Sequence, residues 1–289
     1  MIRKPAVAGQ FYSASRSGCL SEIEECLPKT SFSVELPKPI VAGIVPHAGW
    51  VFSGDLAAMV FQAVQQVNGS VDTFVLFGAS HRFGSGLPAV YDKGAWETPL
   101  GLAHIDEDLA AKILALGGSA KPAAHLGEHS IEVQIPFIQY LFPDAQIVPI
   151  LMPLSGSEVR FGQEVGRLLD AIRDKKTVCI ASTDLTHYGP RYGFCPQGID
   201  SEAIEWAHQV NDRQFIDLAV QMKADQIVPN ACENQNACGP AAAAALVAAA
   251  KARGASKGVL LAHTNSRDVM LQRFRQHSED SVGYAAIVF

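Results

Sequence analysis

The fold of this chain is decided by residues 41–54, VAGIVPHAGWVFSG. The apolar run at 41–45 predicts a short buried strand, which Pro46 brings to an end. His47 follows at once, and Ser53 is predicted to cap the amino terminus of a helix. A strand that ends in a histidine and turns into a helix places the imidazole at the carboxyl edge of a sheet. Open α/β folds bind ligands at that edge, although hydrogen bonds to the backbone also explain a single histidine in a turn.

The rest of the chain alternates between predicted strands and helices. Further strands are predicted at 73–77, 90–97, 146–152, 177–181, 258–262 and 282–289. Helices are predicted at 16–27, after Asp106, within 131–142 with an interruption at Pro136, after 155–157, within 200–222 and from Pro240 to Gly254. Residues 228–240 are polar and are predicted to form turns as far as Cys238. This alternation favours one α/β domain over residues 1–289, with a central mixed sheet flanked by helices.

Composition and charge restrict the possible partners. The chain has 289 residues, of which 48% are hydrophobic and 18% are charged, as in globular proteins with a large core. A net charge of -6, without a run of five basic residues, argues against binding to nucleic acid or to an anionic membrane. The alanine-rich stretch at 241–250 is too short to span a membrane. The amino terminus is a poor signal peptide, and six cysteines without CxxC spacing indicate reduced thiols, so a cytoplasmic location is expected.

Side chains suited to metal binding follow several predicted strands. His47 and His81 each come after an apolar strand, and Asp184 and His187 come after another. Cys238 precedes a helix amino terminus, where the helix dipole favours a thiolate. Two imidazoles and one anionic ligand form the arrangement with which non-haem Fe(II) binds substrate and oxygen. A carboxylate is the usual anion, whereas a thiolate would also suit copper or zinc, so the residues alone leave the metal open.

Longer motifs connect these residues to a known family. The motifs are RKPAVAGQFY, GIVPHAGWVFSG, GASH, ETPLG, GEHSIEVQIPF, IVPILM, STDLTHYG, NACGP and the closing SVGYAAIVF. In this order they resemble the Memo family over essentially the whole chain, and microbial members of that family are named AmmeMemoRadiSam system protein B. GASH departs from the more usual GPSH, and DLTH departs from the DFCH of animal members, but neither change removes a histidine.

The resemblance implies a fold similar to the class III extradiol dioxygenases, which hold Fe(II) with two histidines and a glutamate. It assigns His47 and His81 as metal ligands and places Cys238 at the glutamate position, as in animal Memo, where this set binds iron or copper. His187 corresponds to the acid–base histidine, and Asp184 would line the same pocket. A hydrogen bond to a neighbouring loop is the structural alternative for His187, and a turn is the alternative for Asp184. The cysteine argues against ring cleavage, because a thiolate changes the metal potential and is itself open to oxidation.

Other residues near these motifs have two interpretations each. Glu128 and His129 precede a helix and either cap it or support the metal histidines. Trp50 is either a pocket wall or part of the core. Cys232 lies close enough in sequence to Cys238 to pair with it on oxidation, although the spacing does not require this. The histidines outside any motif are interpreted as ordinary residues, namely His104, His208, His263 and His277.

Four functions are compatible with these features. The first is a metal-dependent oxidoreductase that uses Fe(II), or copper, together with oxygen, with His187 moving protons. The second is a module that holds a small-molecule or peptide ligand without turnover, as implied by the phosphopeptide adaptor role of animal Memo. The third is a zinc hydrolase, for which two histidines and a cysteine are adequate. The microbial family name implies a fourth, an accessory role beside a radical SAM enzyme and an AMMECR-type domain.

Overall fold

The strands and helices are taken from a computed structural model that describes residues 1–81, 86–172 and 174–289. The strands are β1 Ile2–Arg3, β2 Ala42–Val45, β3 Thr73–Ala79, β4 Ala89–Val90, β5 Ala95–Thr98, β6 Gly101–His104, β7 Ser119–Ala120, β8 Gln146–Met152, β9 Thr177–Ser182, β10 His187–Tyr188, β11 Val259–Asn265 and β12 Ser281–Val288. The helices are α1 Arg16–Cys26, α2 Trp50–Asn68, α3 Glu107–Leu114, α4 Ile135–Leu141, α5 Glu158–Ala171, α6 Ser201–Trp206, α7 Asp212–Val220, α8 Ala224–Asn234, α9 Pro240–Ala252 and α10 Ser266–Val269. None of the helices within the described ranges has the length and apolar character needed to cross a membrane.

Nine strands of the described residues form one mixed sheet flanked by helices, which confirms the predicted α/β class. The sheet has the order β10-β12-β2-β9-β3-β8-β4-β7, and β11 pairs with β12. Strands β2, β9, β3 and β8 are parallel, whereas β12 pairs with β2 and β4 pairs with β8 in the antiparallel direction. A separate three-stranded sheet has the order β1-β5-β6. Because β2, β9 and β3 run in one direction, the residues that follow them meet at a single sheet edge.

Helix α9 is buried all round, between the sheet and α5. Its alanine side chains are small enough for both layers to approach closely. Gly162 and Gly166 of α5 face this helix, and a Cβ atom at Gly162 would lie 2.1 Å from the carbonyl oxygen of Ala245. The packing fixes the position of α9 along the sheet. It therefore also fixes Cys238, which lies just before the amino terminus of α9 at the carboxyl edge.

The prediction that Ser53 caps α2 is wrong, because this helix already begins at Trp50. The Ser53 hydroxyl donates instead to the carbonyl oxygen of Ala48 at 3.2 Å, within the first turn. Trp50 packs its ring against those of Tyr12 and Phe137, with centroid distances of 5.0 and 4.4 Å. The buried face of the helix therefore starts at Trp50, ahead of the predicted cap at Ser53.

The predicted strand at 90–97 is wrong as a single element, since the chain forms the two separate strands β4 and β5. Gly94 lies between them with φ of 91°, a conformation that turns the chain and suits glycine. The predicted interruption at Pro136 is also wrong. This proline lies in the first turn of α4, where its missing N–H is not needed for a helical hydrogen bond.

The prediction of turns over residues 228–240 is wrong for most of that segment, because α8 runs to Asn234. The helix is polar on its exposed side and contains Pro229, both of which obscure it in the sequence. It is stabilised by burial of a narrow face that includes Ile227 and Ala231. Tertiary packing has therefore overridden a weak local helix preference.

We expect Gly162→Ala to lower the free energy of unfolding by about 1–3 kcal/mol, because the added methyl group would overpack the α5–α9 contact. Alanine is intrinsically the better helix former by about 1 kcal/mol, so the packing cost must exceed that gain. Chemical denaturation measures the difference. Arg167→Ala on the exposed side of α5 is the control and should change stability by less than about 0.5 kcal/mol. Equal or greater stability of Gly162→Ala would contradict the close helix packing.

Candidate metal centre

His47 follows β2 and is nearly completely buried, with 2% of its surface exposed. Its backbone N–H donates to Asp184 Oδ1 at 2.7 Å, and its Nδ1 lies 2.8 Å from Ser182 Oγ. These contacts orient the ring so that Nε2 lies 3.2 Å from the Sγ atom of Cys238. Burial lowers the pKa of His47 well below its usual value, and nearby imidazoles add to the effect. The ring is therefore neutral at physiological pH, the form in which an imidazole binds a metal.

Three imidazole rings converge at this edge, those of His47, His81 and His129. The ring centroids lie 5.2 Å apart for His47 and His81 and 5.3 Å apart for His47 and His129. The His81 and His129 rings stack nearly parallel with centroids 5.0 Å apart. One nitrogen of each ring lies within 4.8 Å of the others, a spacing suited to a shared metal ion. Residues 82–85, which follow His81 in the sequence, lie outside the described residues.

The buried Glu128 carboxylate orients His81. Its Oε2 accepts a hydrogen bond from the His81 backbone N–H at 3.0 Å, and its Oε1 lies 3.0 Å from His81 Nδ1. Oε1 also accepts from the backbone N–H groups of His129 and Ser130 at 2.8 and 2.9 Å. Because an ionised carboxylate only accepts, Nδ1 of His81 carries a proton, and in the neutral ring the lone pair is therefore on Nε2. Glu128 therefore holds the local backbone and the His81 ring, and its support of a metal ligand stays a prediction.

The ionisation of Glu128 and His81 follows from this contact. Burial alone would raise the pKa of Glu128, but the hydrogen bond and charge of His81 outweigh it, and the pKa lies far below its usual value. The same hydrogen bond raises the pKa of His81 against the opposing effect of burial. Burial lowers the pKa of His129 and outweighs the opposing effect of Glu128, whose Oε1 lies farther away, at 3.6 Å from His129 Nδ1. Of the two stacked rings, His129 therefore has the lower pKa and is neutral over a wider range of pH.

A second donor group consists of His47, Asp184 and Cys238, whose ligand atoms also lie within 4.8 Å of one another. The backbone N–H of Asp184 donates to Cys238 Sγ at 3.3 Å. The helix dipole was predicted to favour a thiolate at Cys238, but burial and the nearby Asp184 carboxylate raise the pKa of this thiol. Burial likewise raises the pKa of Asp184. A metal ion at this group would therefore have to displace the thiol proton.

The ligand set implied by the family resemblance is divided between these two groups. His47 belongs to both, His81 belongs to the imidazole group, and Cys238 belongs to the other. Typical bond lengths of about 2.0 Å to nitrogen and about 2.3 Å to sulfur give a nitrogen–sulfur separation of about 3.5 Å around a tetrahedral ion. The observed 3.2 Å between His47 Nε2 and Cys238 Sγ fits such an ion. The residues present therefore suit a small transition metal, and their assignment as ligands stays a prediction.

His187 lies at the rim of this site, on β10. Its Nδ1 is 3.0 Å from the carbonyl oxygen of Leu185, and its ring meets Tyr192 edge-on at 5.1 Å. Its charge acts on Asp184 and lowers the pKa of that buried carboxyl group, against the larger effect of burial. His187 is thus near the second donor group without belonging to it, and its acid–base role stays a prediction.

Two further sequence interpretations concern residues outside the donor groups. Trp50 is a core residue, 3% exposed, and its Nε1 donates to the carbonyl oxygen of Val133 at 3.0 Å. Cys232 and Cys238 are both free thiols, and Cys232 is exposed on α8. Their pairing on oxidation stays a prediction.

Sequence reasoning missed the polar side chains that lie beneath the donors. Ser182 is the last residue of β9 and contacts the His47 ring. Gln134 donates through Nε2 to the carbonyl oxygen of Pro46 at 2.7 Å, in the turn that carries His47. His129 was interpreted only as a cap or a support, whereas the structure places it among the donors. The sequence signal that could have indicated these residues was the motif GEHSIEVQIPF, which contains more polar residues than the start of a buried helix requires.

The fold and the site define an α/β protein with a candidate metal centre of imidazole, carboxylate and thiol groups. A family model described as Memo-like protein matches residues 3–288, and the chain belongs to the Memo family. Similar curated relatives are MEMO1 family proteins of Thermococcus onnurineus and Pyrococcus furiosus, each 37% identical over 100% of this chain and 99% of the relative. Among solved structures, uncharacterized protein JW3007 of Escherichia coli K12 is similar with a TM-score of 0.49 and 14% identity, over 84% of this chain and 99% of that chain.

We expect Glu128→Gln to weaken Fe²⁺ binding about 10- to 100-fold, because the neutral amide orients the His81 ring less firmly than the carboxylate does. Anaerobic competition with a chromophoric chelator measures the affinity. Glu158→Gln is the matched control, since Glu158 is another buried glutamate that accepts backbone hydrogen bonds, at the start of α5. An affinity that falls equally in both variants would show a general loss of stability in place of a role at the metal centre.

Proposed function

We propose that this Memo-family chain is a metal-dependent oxidoreductase that holds Fe(II), or copper, through His47, His81 and Cys238. The supporting observation is the orientation of the two histidines. Each has Nδ1 occupied on the side away from the donors, by Ser182 for His47 and by Glu128 for His81. Each is thereby directed to bind through Nε2, the arrangement that outer hydrogen bonds produce in protein metal sites.

The choice between iron and copper depends on the second donor group. Asp184 offers a carboxylate beside the Cys238 thiol, so both a hard and a soft anionic ligand lie next to His47. Two imidazoles with a carboxylate favour Fe(II), and a thiolate favours copper or zinc. A bound iron or copper ion would supply the one-electron chemistry that the side chains of this chain lack.

The remaining residues of the site would transfer protons and hold the ligands in place. His187 at the rim is the proposed proton carrier, since this imidazole is partly exposed and lies beside the second donor group. Asp184 holds the backbone of His47 through the 2.7 Å hydrogen bond and keeps that ligand beside the Cys238 thiol. The substrate remains to be identified, and the likeness to extradiol dioxygenases stays a prediction of the family resemblance.

Zinc hydrolysis is the second candidate, because the His47–Cys238 contact brings together the nitrogen and sulfur donors that zinc prefers. The proposal includes partners of the chain as well. A small-molecule or peptide ligand would occupy the site. Association with a radical SAM enzyme and an AMMECR-type protein would make the chain an accessory component, in a cytoplasmic pathway.

We expect His47→Ala, His81→Ala and Cys238→Ala each to lose about one bound metal ion per chain relative to the wild type, since each removes a donor from a site that offers few. The protein is purified anaerobically, and iron, copper and zinc are measured by mass spectrometry. His104→Ala is the control, because His104 is exposed on β6. Wild-type protein that binds none of these metals, with variants identical to it, would contradict both the oxidoreductase and the hydrolase proposals.

The identity of the bound metal and oxygen uptake separate the two candidates. Iron or copper with oxygen consumption in a substrate panel supports an oxidoreductase, and uptake with catechols would identify ring cleavage. Zinc alone, without oxygen uptake but with hydrolysis of ester or amide substrates, supports the hydrolase.

A further inference from the structure

A second cluster of donor side chains lies outside the site described above. His208 lies in a π-helical turn, Ala207–Asn211, which joins α6 to α7. Asp212 is the first residue of α7, and His263 lies on β11. His263 Nε2 is 3.0 Å from Asp212 Oδ2, His208 Nδ1 is 4.0 Å from the same oxygen, and the ligand atoms all lie within 4.8 Å of one another.

An ordinary hydrogen bond between one histidine and Asp212 explains only part of this cluster. The His208 and His263 rings stack with centroids 3.9 Å apart, so two imidazoles lie beside one carboxylate oxygen, and only His263 is within hydrogen-bond distance of it. Nδ1 of His208 is buried and has no hydrogen-bond partner among the described residues, although it is directed towards Asp212. A buried nitrogen lone pair without a donor is costly, and a bound cation would satisfy it.

The spacing of the donors fits a zinc-sized ion. Bonds of about 2.0–2.2 Å to nitrogen and oxygen place neighbouring donors about 3.3 Å apart in a tetrahedral site. The observed separations of 3.0 and 4.0 Å from Asp212 Oδ2 lie on either side of that value. The three side chains have exposed fractions of 14% for His208, 2% for Asp212 and 9% for His263. The cluster is therefore nearly closed to solvent, as structural metal sites are.

Outer contacts hold the carboxylate in place. Asp212 Oδ1 accepts a hydrogen bond from the Thr186 backbone N–H at 2.9 Å, which leaves Oδ2 directed at the histidines. Gly283 passes so close that a Cβ atom there would lie 2.0 Å from Asp212 Oδ2. The negative charges of Asp268 and Glu205 act on the His208 ring and would attract a cation.

We propose that His208, Asp212 and His263 bind a second divalent transition metal ion, of the zinc class, separate from the centre at His47. Two imidazoles and a carboxylate form a donor set that zinc and Fe(II) both accept, and the closed surroundings favour a structural ion. Such an ion would join the turn before α7 to β11 and stabilise that contact.

Zinc binding to variants of the intact chain tests this site. The His47→Ala variant serves as the background, because His47 belongs to both donor groups of the first centre. In that background, adding His208→Gln or His263→Gln should remove about one zinc ion per chain, and it should abolish the rise in melting temperature that zinc produces. His277→Gln is the matched control, since His277 is exposed and lies outside both clusters. Titration calorimetry and thermal unfolding with zinc chloride provide the two measurements.

His208→Gln is the decisive variant, because His208 Nδ1 makes no hydrogen bond among the described residues that the substitution would remove. If the cluster has only a structural role, this variant keeps the zinc stoichiometry and the zinc-dependent melting shift of its background, and the proposal is overturned. X-ray absorption of the His47→Ala protein with one equivalent of zinc gives a readout that needs no cluster variant. Two imidazole ligands and no sulfur are expected, and a sulfur ligand or the absence of imidazole would overturn the second site.

Discussion

The candidate metal centre depends on one buried charge, the guanidinium group of Arg3. Its Nη1 pairs with Glu132 Oε2 at 2.7 Å, and its Nη2 and Nε donate to the carbonyl oxygens of Glu128 and His125 at 2.6 and 2.9 Å. The group also lies 4.0 Å from the centroid of the Trp96 ring. Arginine suits this position because its planar fork of donors can satisfy several acceptors at once. Removal of one partner from a buried ion pair costs about 3–5 kcal/mol, so the network is effectively obligatory once it is buried.

As a consequence, the segment that contains Glu128 and Glu132 is held rigidly although it has little regular structure. Glu132 accepts hydrogen bonds from the backbone N–H groups of Ala6 and Val7 and from the Tyr12 hydroxyl, which fastens the amino-terminal segment against it. Glu128, four residues earlier, directs its carboxylate the other way, to His81. Two buried glutamates on one short segment therefore have different roles. Glu132 is neutralised by Arg3 and organises the fold, whereas Glu128 contacts His81 and orients this candidate ligand.

The predictability of each element follows from where its determining contacts lie. Strand β8 agrees with the sequence prediction because a central parallel strand is a continuous apolar run, which is visible locally. Helix α8 was missed because its stability comes from a narrow buried face. At the candidate site, His47 and His81 could be predicted because they directly follow apolar strands. His129 could not, since it reaches the donors only through the segment that Arg3 holds. His208 was interpreted as an ordinary residue, because His263, which completes its cluster with Asp212, comes from a distant part of the chain.

The segment at 183–188 connects the two donor clusters physically. At one end, the Asp184 carboxylate accepts the backbone N–H of His47. Two residues later, the Thr186 N–H donates to Asp212 Oδ1, and the carbonyl oxygen of Thr186 accepts from the Gly283 N–H at 3.0 Å. Because this backbone is buried and hydrogen-bonded on both sides, rearrangement of solvent cannot compensate for a movement of the Asp212 carboxylate. Such a shift would have to move Thr186, and with it the turn that positions Asp184. The backbone from Asp184 to Thr186 therefore links the Asp212 carboxylate to the turn that carries His47.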